Sequence, residues 1–163
     1  MTRPGDAMLV GVVSDSHDNL PKLRAAMDAF RSRGVGHVLH AGDYVAPFAV
    51  RVLTQSGLPF TGVFGNNDGE RDGIHALTTN IHLSPYRLEL DGRRIVLAHD
   101  PKQLTPDWRK GAEVIIFGHT HLVAIEKGPP LVLNPGECCG WVSGKCTVAL
   151  LDLASLDVAI LEV

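Results

Sequence analysis

Short apolar runs alternate with amphipathic segments along the first part of the chain. Residues 9–14 form a valine-rich run typical of a buried strand, and residues 19–33 follow with apolar side chains at helical spacing. The same alternation predicts a strand at 35–40, a helix at Pro47–Gln55 and a strand at 60–64. Parallel neighbours need a crossover connection, so this βαβαβ order predicts a parallel sheet covered by helices.

The second half of the chain is strand-rich. Asp91-Gly92 separates two apolar runs, which predicts a hairpin at 86–90 and 93–98. Residues 66–73 are polar and predict a loop, and a helix that follows to residue 77 is only weakly predicted. The remaining pattern predicts a short helix at 106–110 and strands at 113–117, 122–126, 131–133, 146–151 and 158–161. We therefore expect one α/β domain over residues 1–163, with two mixed β-sheets packed face to face and helices outside.

Metal-binding types of side chain follow five of the apolar runs. They are Asp15, His17, Asp43, Asn66, Asp68, His99, His119 and His121. Residues just past the carboxyl ends of strands gather along one edge of an open α/β sheet, so these groups should share one crevice. Gly42, Gly65 and Gly118 precede key residues, and glycine permits the tight turns and close backbone approach that a crevice requires.

The donors in this set are too many for a single ion. Leaving Asp68 aside, there are two carboxylates, one amide and four imidazoles, which suit two ions that share one carboxylate. Mixed imidazole and oxygen donors favour transition metals over calcium or magnesium. Manganese is the first expectation, with iron, zinc, nickel and cobalt as alternatives.

The charge of such a centre indicates the substrate class. Two divalent ions bring four positive charges, whereas only Asp15 and Asp43 among the expected ligands are anionic. A site that stays positive favours a phosphate ester over a neutral amide. Two ions roughly 3.5–4 Å apart lower the pKa of a bridging water, so we expect attack of a metal-bridging hydroxide on phosphorus.

Composition excludes several other classes of protein. The chain has 163 residues, 45% of them hydrophobic, and a net charge of −3, which favours a globular protein and disfavours a nucleic acid partner. No apolar run is long enough to cross a bilayer, and residues 1–8 hold Pro4, Gly5 and Asp6 where an export signal would be apolar. The three cysteines, two of them adjacent, are a poor disulfide framework, so we expect a cytoplasmic protein; zinc ligation by them is a weaker alternative.

Several motifs together resemble a known family. The sequences DSH at 15–17, GD at 42–43, GNND at 65–68, His99 and GHTH at 118–121 are similar to the motif series of the calcineurin-like metallophosphoesterases. The short length and the NPG at 134–136 resemble their small bacterial and archaeal phosphodiesterase branch. The resemblance implies a four-layer αββα sandwich. It also implies that Asp15, His17 and His121 hold one ion, that Asn66, His99 and His119 hold the other, and that Asp43 bridges them.

The chain departs from this family at position 67. Many members have a histidine there that helps to protonate the leaving group, and Asn67 cannot do so. General acid catalysis is worth about a hundredfold to ten-thousandfold, so we expect a phosphodiesterase acting on small esters whose leaving group departs unaided. The expected catalytic residues are Asp43, Asn66, Asn67, Asp68 and His99. For Asp68, orienting a ligand and capping a turn are both open.

Other functions and residue roles complete the expectations. A phosphomonoesterase or phosphoprotein phosphatase is the nearest alternative, a non-catalytic interaction scaffold is the second, and a homo-oligomer is left open. We expect structural or surface roles for the four remaining histidines and packing roles for both tryptophans. The NPG segment is expected to form a turn, and three acidic residues are expected to add negative charge at the rim of the site. These are His37, His40, His75 and His82; Trp108 and Trp141; Asn134 and Gly136; and Asp18, Asp100 and Glu137.

Overall fold

The first half of the chain forms the expected alternation of strands and helices. A computed structural model describes residues 6–163. Its first elements are β1 (Leu9–Val13), α1 (Leu20–Ser32), β2 (His37–His40), α2 (Pro47–Gln55), β3 (Phe60–Val63), α3 (Arg71–His75) and β4 (Ile81–His82). Helix α1 begins where the Asn19 side chain accepts a hydrogen bond from the backbone N–H of Lys22, with Pro21 in the first turn.

The second half is mostly β-structure. It contains β5 (Tyr86–Leu90), β6 (Arg93–Leu97), a 3₁₀ turn (Pro101–Gln103), α4 (Pro106–Arg109), β7 (Val114–Ile116), β8 (Val123–Glu126), β9 (Leu131–Pro135), β10 (Thr147–Asp152) and β11 (Val158–Glu162). The predicted hairpin is confirmed as the antiparallel pair β5–β6, in which Leu90 lies opposite Arg93.

The strands form two mixed sheets. The first has the order β11-β10-β1-β2-β3-β4, in which β1 to β4 are parallel, β10 is antiparallel to β1, and β11 is antiparallel to β10. The second has the order β5-β6-β7-β9-β8, with β6, β7 and β9 parallel. Because β1, β2, β3, β6 and β7 carry the predicted motifs after their carboxyl ends, the topology brings the motif loops of both sheets to one rim.

Apolar side chains fill the spaces between the layers. Leu23, Met27 and Phe30 of α1 are fully or almost fully buried in the core between the first sheet and its helices. Val12 of the first sheet and Ile116 of the second lie in the core between the sheets. The outer face of the second sheet has only a small cluster, covered by the 3₁₀ turn and α4. The predicted two-sheet α/β sandwich is confirmed, with a thin fourth layer.

Some boundaries differ from the predicted ones. Strand β2 begins at His37, β8 begins at Val123, and α3 begins at Arg71, within the segment interpreted as polar loop. Strand β4 was not predicted, because residues 78–80 are polar and only two residues pair. That strand forms through backbone pairing of Ile81 and His82 with β3, which is a tertiary contact and leaves no periodic pattern in the sequence.

None of the helices within residues 6–163 is long and apolar enough to cross a membrane. The prediction that the chain begins without an export signal depends mainly on residues 1–5, which lie outside the described part of the chain.

Candidate metal centre

All seven predicted metal ligands converge at the shared rim, around the carboxylate of Asp43. Its Oδ2 lies 3.3 Å from Nε2 of His17 and 3.3 Å from Nε2 of His99. The other ligands divide between these two imidazoles. Each half combines histidine nitrogens with oxygen donors, and Asp43 is common to both.

The first half contains Asp15, His17 and His121. Oδ1 of Asp15 lies 3.7 Å from Nε2 of His17 and 3.6 Å from Nε2 of His121. Asp15 is fully buried, and the two imidazole rings are 5.0 Å apart between centroids. Ligand atoms of these three residues all lie within 4.8 Å of one another, a separation that a single ion can span.

The second half contains Asn66, His99 and His119. Oδ1 of Asn66 lies 2.9 Å from Nε2 of His99 and 3.1 Å from Nδ1 of His119, and those two nitrogens are 3.3 Å apart. Asn66 and His119 are exposed, whereas His99 is buried. This half therefore forms the open side of the centre.

Hydrogen bonds to the far sides of the ligands orient their free atoms. Nδ1 of His99 donates to the carbonyl of Ala41 at 2.8 Å, so its Nε2 carries the free lone pair. Oδ2 of Asp15 accepts from Oγ of Ser14 at 2.7 Å and from the backbone N–H of His119 at 3.0 Å, which leaves Oδ1 facing the centre. Such outer contacts set the tautomer and direction of metal ligands.

Two buried polar atoms of the centre have no hydrogen-bond partner among the described residues. They are Oδ1 of Asp15 and Nε2 of His17. An unsatisfied buried polar atom costs roughly 1–3 kcal/mol, so native proteins rarely leave one without a partner. Both atoms face the same space, and both are good ligands for a divalent cation, whose binding would satisfy them together. The residues therefore fit a metal centre.

The carboxylates and imidazoles of the centre polarise one another. The neighbouring carboxylates of Asp15 and Asp43 raise the pKa of His17 to about 10. Burial lowers the pKa of His99, but the carboxylates of Asp43 and Asp15 and the Ala41 carbonyl together outweigh it and leave that pKa raised. Burial alone would raise the pKa of Asp43, but the imidazoles of His17 and His99, each 3.3 Å away, hold it well below its usual range. The negative potential that causes these shifts also attracts cations.

The backbone at the ligands is strained. Five of the seven have positive φ: Asp15 (51°), His17 (37°), Asp43 (62°), His119 (67°) and His121 (63°). Left-handed backbone at a residue other than glycine costs about 1–3 kcal/mol and persists where the surrounding structure enforces it. Here the backbone N–H groups of Asp15 and His17 donate to the carbonyls of Gly42 and Asp43, both at 3.0 Å. Two strained loops are thus held against each other.

Glycines allow these loops to approach closely, as predicted. A Cβ at position 118 would collide with Oγ of Ser14 and lie 2.7 Å from Oδ2 of Asp15. A Cβ at position 65 would collide with the Asp43 carboxylate and lie 2.6 Å from its backbone nitrogen. Any larger residue at either position would displace a predicted ligand.

Asp68 organises the loops and does not face the centre. It is 2% exposed, and its carboxylate accepts from the backbone N–H groups of Gly65 (2.7 Å), Val45 (2.8 Å) and Asp43 (3.0 Å). Two roles were considered for Asp68, orienting a ligand and capping a turn. These contacts match the first, because they orient the loops that carry predicted ligands.

Asn67 contacts Asp43 directly: its backbone N–H and side-chain amide donate to the two carboxylate oxygens at 2.9 and 2.8 Å.

Glu137 does not lie at the rim, so that expectation was wrong. Its side chain is fully buried and accepts a hydrogen bond from Nδ1 of His121. It also accepts from Oγ of Ser143 at 2.7 Å. Hydrogen bonds from His121 and Ser143 outweigh burial and lower the pKa of Glu137 to about 2. Asp18 and Asp100 are more exposed, and Oδ2 of Asp100 lies 3.8 Å from Nε2 of His119.

Asn134 is a supporting residue that the sequence interpretation as a turn missed. It lies in β9, is fully buried, and donates to the carbonyl of Gly118 at 3.1 Å and to Oγ1 of Thr120 at 3.0 Å. It therefore holds the loop that carries His119 and His121. The sequence did contain a signal for this role, because the segment NPGE at 134–137 follows an apolar run in the same way as the other five motifs.

The remaining histidines lie outside the centre, as predicted. His40 is buried beside it, but its Nε2 donates to Oγ of Ser16 at 3.0 Å and its Nδ1 accepts from the N–H of Gly42 at 3.1 Å. His37 contacts Oγ1 of Thr61, His75 lies edge-on to Phe64, and His82 stacks on Tyr86. His40 is thus a satisfied structural histidine.

The two tryptophans differ. Trp108 packs against the outer cluster of the second sheet, which confirms the packing prediction for it. Trp141 is 66% exposed, so the same prediction was wrong for that residue. Its Nε1 donates to the backbone carbonyl of His17 at 3.2 Å, which holds the indole beside the first half of the centre.

A cleft of about 230 Å³ adjoins the second half of the centre. Its lining includes Asn66 and His99 together with Phe64, Arg71 and Leu83. The Arg71 guanidinium lies 4.7 Å from the centroid of the Phe64 ring, and its Nε donates to the carbonyl of Asp68. An ester held at the centre would have this cleft on one side, with apolar groups and both Arg71 and Asp100 in its lining.

Comparisons with known proteins agree with this geometry. The chain is 33% identical over 154 residues to a phosphodiesterase of Methanocaldococcus jannaschii, covering 89% of this chain and 93% of that protein. It is 35% identical over 136 residues to a probable metallophosphoesterase of Methanothermobacter thermautotrophicus, covering 80% and 77%. The solved structure of an archaeal phosphodiesterase superposes with a TM-score of 0.87 at 30% identity, covering 96% of this chain and 100% of that one.

The family assignment extends over most of the chain. Residues 8–156 match the calcineurin-like phosphoesterase superfamily domain, and this range includes every predicted ligand and all strands of both sheets except β11. Family membership and the grouped carboxylates and imidazoles together support binding of divalent metal ions. The chain therefore belongs to the calcineurin-like phosphoesterase superfamily.

Proposed function

We propose that the chain is a phosphodiesterase that uses two divalent transition-metal ions to hydrolyse small phosphate diesters. The observation that carries the proposal is the position of Asp43, whose Oδ2 lies 3.3 Å from an imidazole nitrogen of each half of the centre. A carboxylate in this position suits a bridge between two ions. The relative from Methanocaldococcus jannaschii, named a phosphodiesterase, supports a diester as substrate.

The two halves of the centre provide the ligands for the two ions. One ion would be held by Asp15, His17 and His121, and the other by Asn66, His99 and His119. Asp43 would be a ligand of both ions. Manganese is the first candidate, with iron, zinc, nickel and cobalt as alternatives, because imidazole and oxygen donors are mixed in each half. When bound, such ions supply Lewis acidity at phosphoryl oxygens and lower the pKa of a coordinated water.

The residues of the chain determine which esters suit the site. Exposed Asn66, Asn67 and His119 form the open side through which a phosphate group would enter. Asn67 has no titratable proton, and its amide already donates to Asp43 at 2.8 Å, so position 67 provides no general acid. Esters with leaving groups that depart unaided therefore fit best. Asn67 and Asp68 are proposed to position Asp43 and the loops around it.

The proposal is tested by comparing a diester and a monoester that have the same leaving group. Purified protein supplemented with manganese is assayed with bis(p-nitrophenyl) phosphate and with p-nitrophenyl phosphate, and a higher kcat/KM for the diester is expected. His99→Ala should abolish hydrolysis, while His37→Gln, a histidine outside the centre, serves as the matched control and should retain it. A strong preference for the monoester would instead indicate a phosphomonoesterase or phosphoprotein phosphatase.

Metal analysis tests the cofactor part of the proposal separately. Mass spectrometry of the purified protein should find two equivalents of a transition metal per chain. The metal content of His119→Ala should be lower. Protein with intact ligands that binds no metal and is unaffected by His119→Ala would point to a non-catalytic scaffold.

The unpaired Cys138, Cys139 and Cys146 support a reducing compartment such as the cytoplasm, and a homo-oligomer stays a prediction.

A further inference from the structure

Apolar side chains are exposed beside the first half of the metal centre. Trp141 and its neighbour Val142 are 66% and 73% exposed, and Leu122, next to the predicted ligand His121, is exposed as well. An indole is among the largest apolar groups a protein can bury, so its exposure beside the centre points to a binding role. The metal centre itself makes no use of the Trp141 ring.

The indole is held in place although it is exposed. Nε1 of Trp141 donates to the carbonyl of His17 at 3.2 Å. The following residues are fixed by the buried carboxylate of Glu137, which accepts from the N–H of Val142 at 3.0 Å and from the hydroxyl of Ser143 at 2.7 Å. The same carboxylate accepts from His121. The indole is thus anchored to the backbone of the predicted ligand His17, and the residues that follow it are anchored to Glu137, which also accepts from His121.

This anchoring holds an exposed aromatic ring next to the predicted ligand His17. The cleft of Phe64, Arg71 and Leu83 lies beside the Asn66–His99 half, whereas Trp141 lies beside the His17–His121 half. A diester has two substituents on phosphorus, so one could lie toward this cleft and the other toward Trp141. The Trp141 side offers an exposed indole whose Nε1 is held by the carbonyl of His17.

We propose that Trp141 is a specificity-determining residue that stacks on a planar aromatic substituent of the ester, either an aryl group or a nucleobase. The inference rests on the proposed phosphoesterase function and adds the class of substituent. Stacking of an aromatic group on an exposed tryptophan tolerates many ring types and strengthens binding by about tenfold or more. Aromatic esters should therefore bind and react better than alkyl esters of the same charge.

Binding can be measured without turnover, because the chain has only two tryptophans. In Trp108→Phe, Trp141 is the only indole, and its fluorescence reports ligands directly. Manganese-loaded Trp108→Phe is titrated with phenylphosphonate, adenosine monophosphate and methylphosphonate. The two aromatic ligands should change the emission saturably and bind about tenfold more tightly than methylphosphonate. A stronger response to one of them distinguishes an aryl group from a nucleobase.

Activity provides the second measurement. The ratio of kcat/KM for p-nitrophenyl phenyl phosphate to that for p-nitrophenyl methyl phosphate is compared between wild type and two variants. Trp141→Leu should lower the ratio about tenfold, and Trp141→Phe, which keeps an aromatic face without the Nε1 donor, should largely restore it. Position 141 is exposed, so neither variant is expected to impair folding.

The outcomes separate this inference from the proposed function. If Trp141→Leu hydrolyses both diesters in the wild-type ratio, Trp141 is not a stacking residue and the phosphodiesterase proposal stands. If wild type hydrolyses neither diester, the proposed function fails, and the phosphonate titration alone decides about Trp141. An unchanged ratio together with a loss of oligomer on size-exclusion chromatography would assign the indole to a protein contact and overturn the inference.

Discussion

Nδ1 of His121 donates a hydrogen bond to the buried carboxylate of Glu137, so that Nε2 of the same ring faces Oδ1 of Asp15 at 3.6 Å. This pair gives the metal centre an outer support on the side away from the open cleft. A carboxylate behind a histidine ligand fixes the tautomer of the imidazole and increases its basicity. Glu137 should therefore influence metal affinity without contacting a metal.

Glu137→Gln should weaken binding of manganese about tenfold to a hundredfold, measured by competition with a fluorescent chelator. Glutamine keeps an acceptor for His121 but removes the negative charge. Glu162→Gln, at an exposed glutamate 3.9 Å from Nζ of Lys145, is the matched control and should bind manganese normally. Equal affinities of Glu137→Gln and wild type would contradict the role assigned to Glu137.

Asp43→Asn should be the most damaging substitution at the centre. The variant lacks the charge that both halves share, so kcat should fall at least about a hundredfold and the bound metal should drop below two equivalents per chain. The fold should persist, because Asp68 still accepts from the backbone N–H at position 43. Circular dichroism, metal analysis and diester hydrolysis together check this prediction, and near-normal turnover would refute the bridging role.

His40 should make the protein less stable in mild acid. Burial lowers the pKa of His40 to about 3, against an ordinary value of 6.5. As the pH falls below 6.5, the unfolded chain takes up a proton at this residue and the folded chain does not until about pH 3. The free energy of unfolding therefore decreases across that window, by up to about 1.4 kcal/mol per pH unit from this group.

Urea denaturation of wild type and His40→Gln measures this effect, with chelator present so that metal release does not contribute. Glutamine can donate to Ser16 and accept from the Gly42 N–H, as the neutral imidazole does. The variant should lose less stability than wild type between pH 6.5 and pH 5. Parallel loss in both proteins would show that His40 is not the responsible group.

The three cysteines should differ in reactivity. Burial raises the pKa of Cys138 well above its usual range and that of Cys139 to about 12, so both remain thiols near neutral pH. Cys146 is only partly buried. Brief treatment of the native protein with iodoacetamide at pH 8 should modify Cys146 first, as shown by peptide mass spectrometry. In urea all three should react, and early modification of native Cys138 would contradict its burial.

Local patterns were enough to predict most of the architecture and which side chains converge at the centre. The apolar runs that became β1, β2, β3, β6 and β7 are buried strands whose signal is local, and each is followed directly by metal-binding side chains. Parallel strands align their carboxyl ends, so the order of strands along the chain already predicts that these residues meet in one place. The number and types of donors were sufficient to predict a metal centre.

Tertiary structure alone decided how the centre is built. The positive φ values at Asp15, Asp43 and His121, the burial of Glu137 behind His121 and the exposure of Trp141 leave no periodic signal, because each depends on loops from different sheets pressing on one another. Strand β4 likewise exists through pairing with β3. Residue types and their spacing along the chain thus determine which groups are available for chemistry, whereas contacts between distant segments determine which atoms of those groups are free to act.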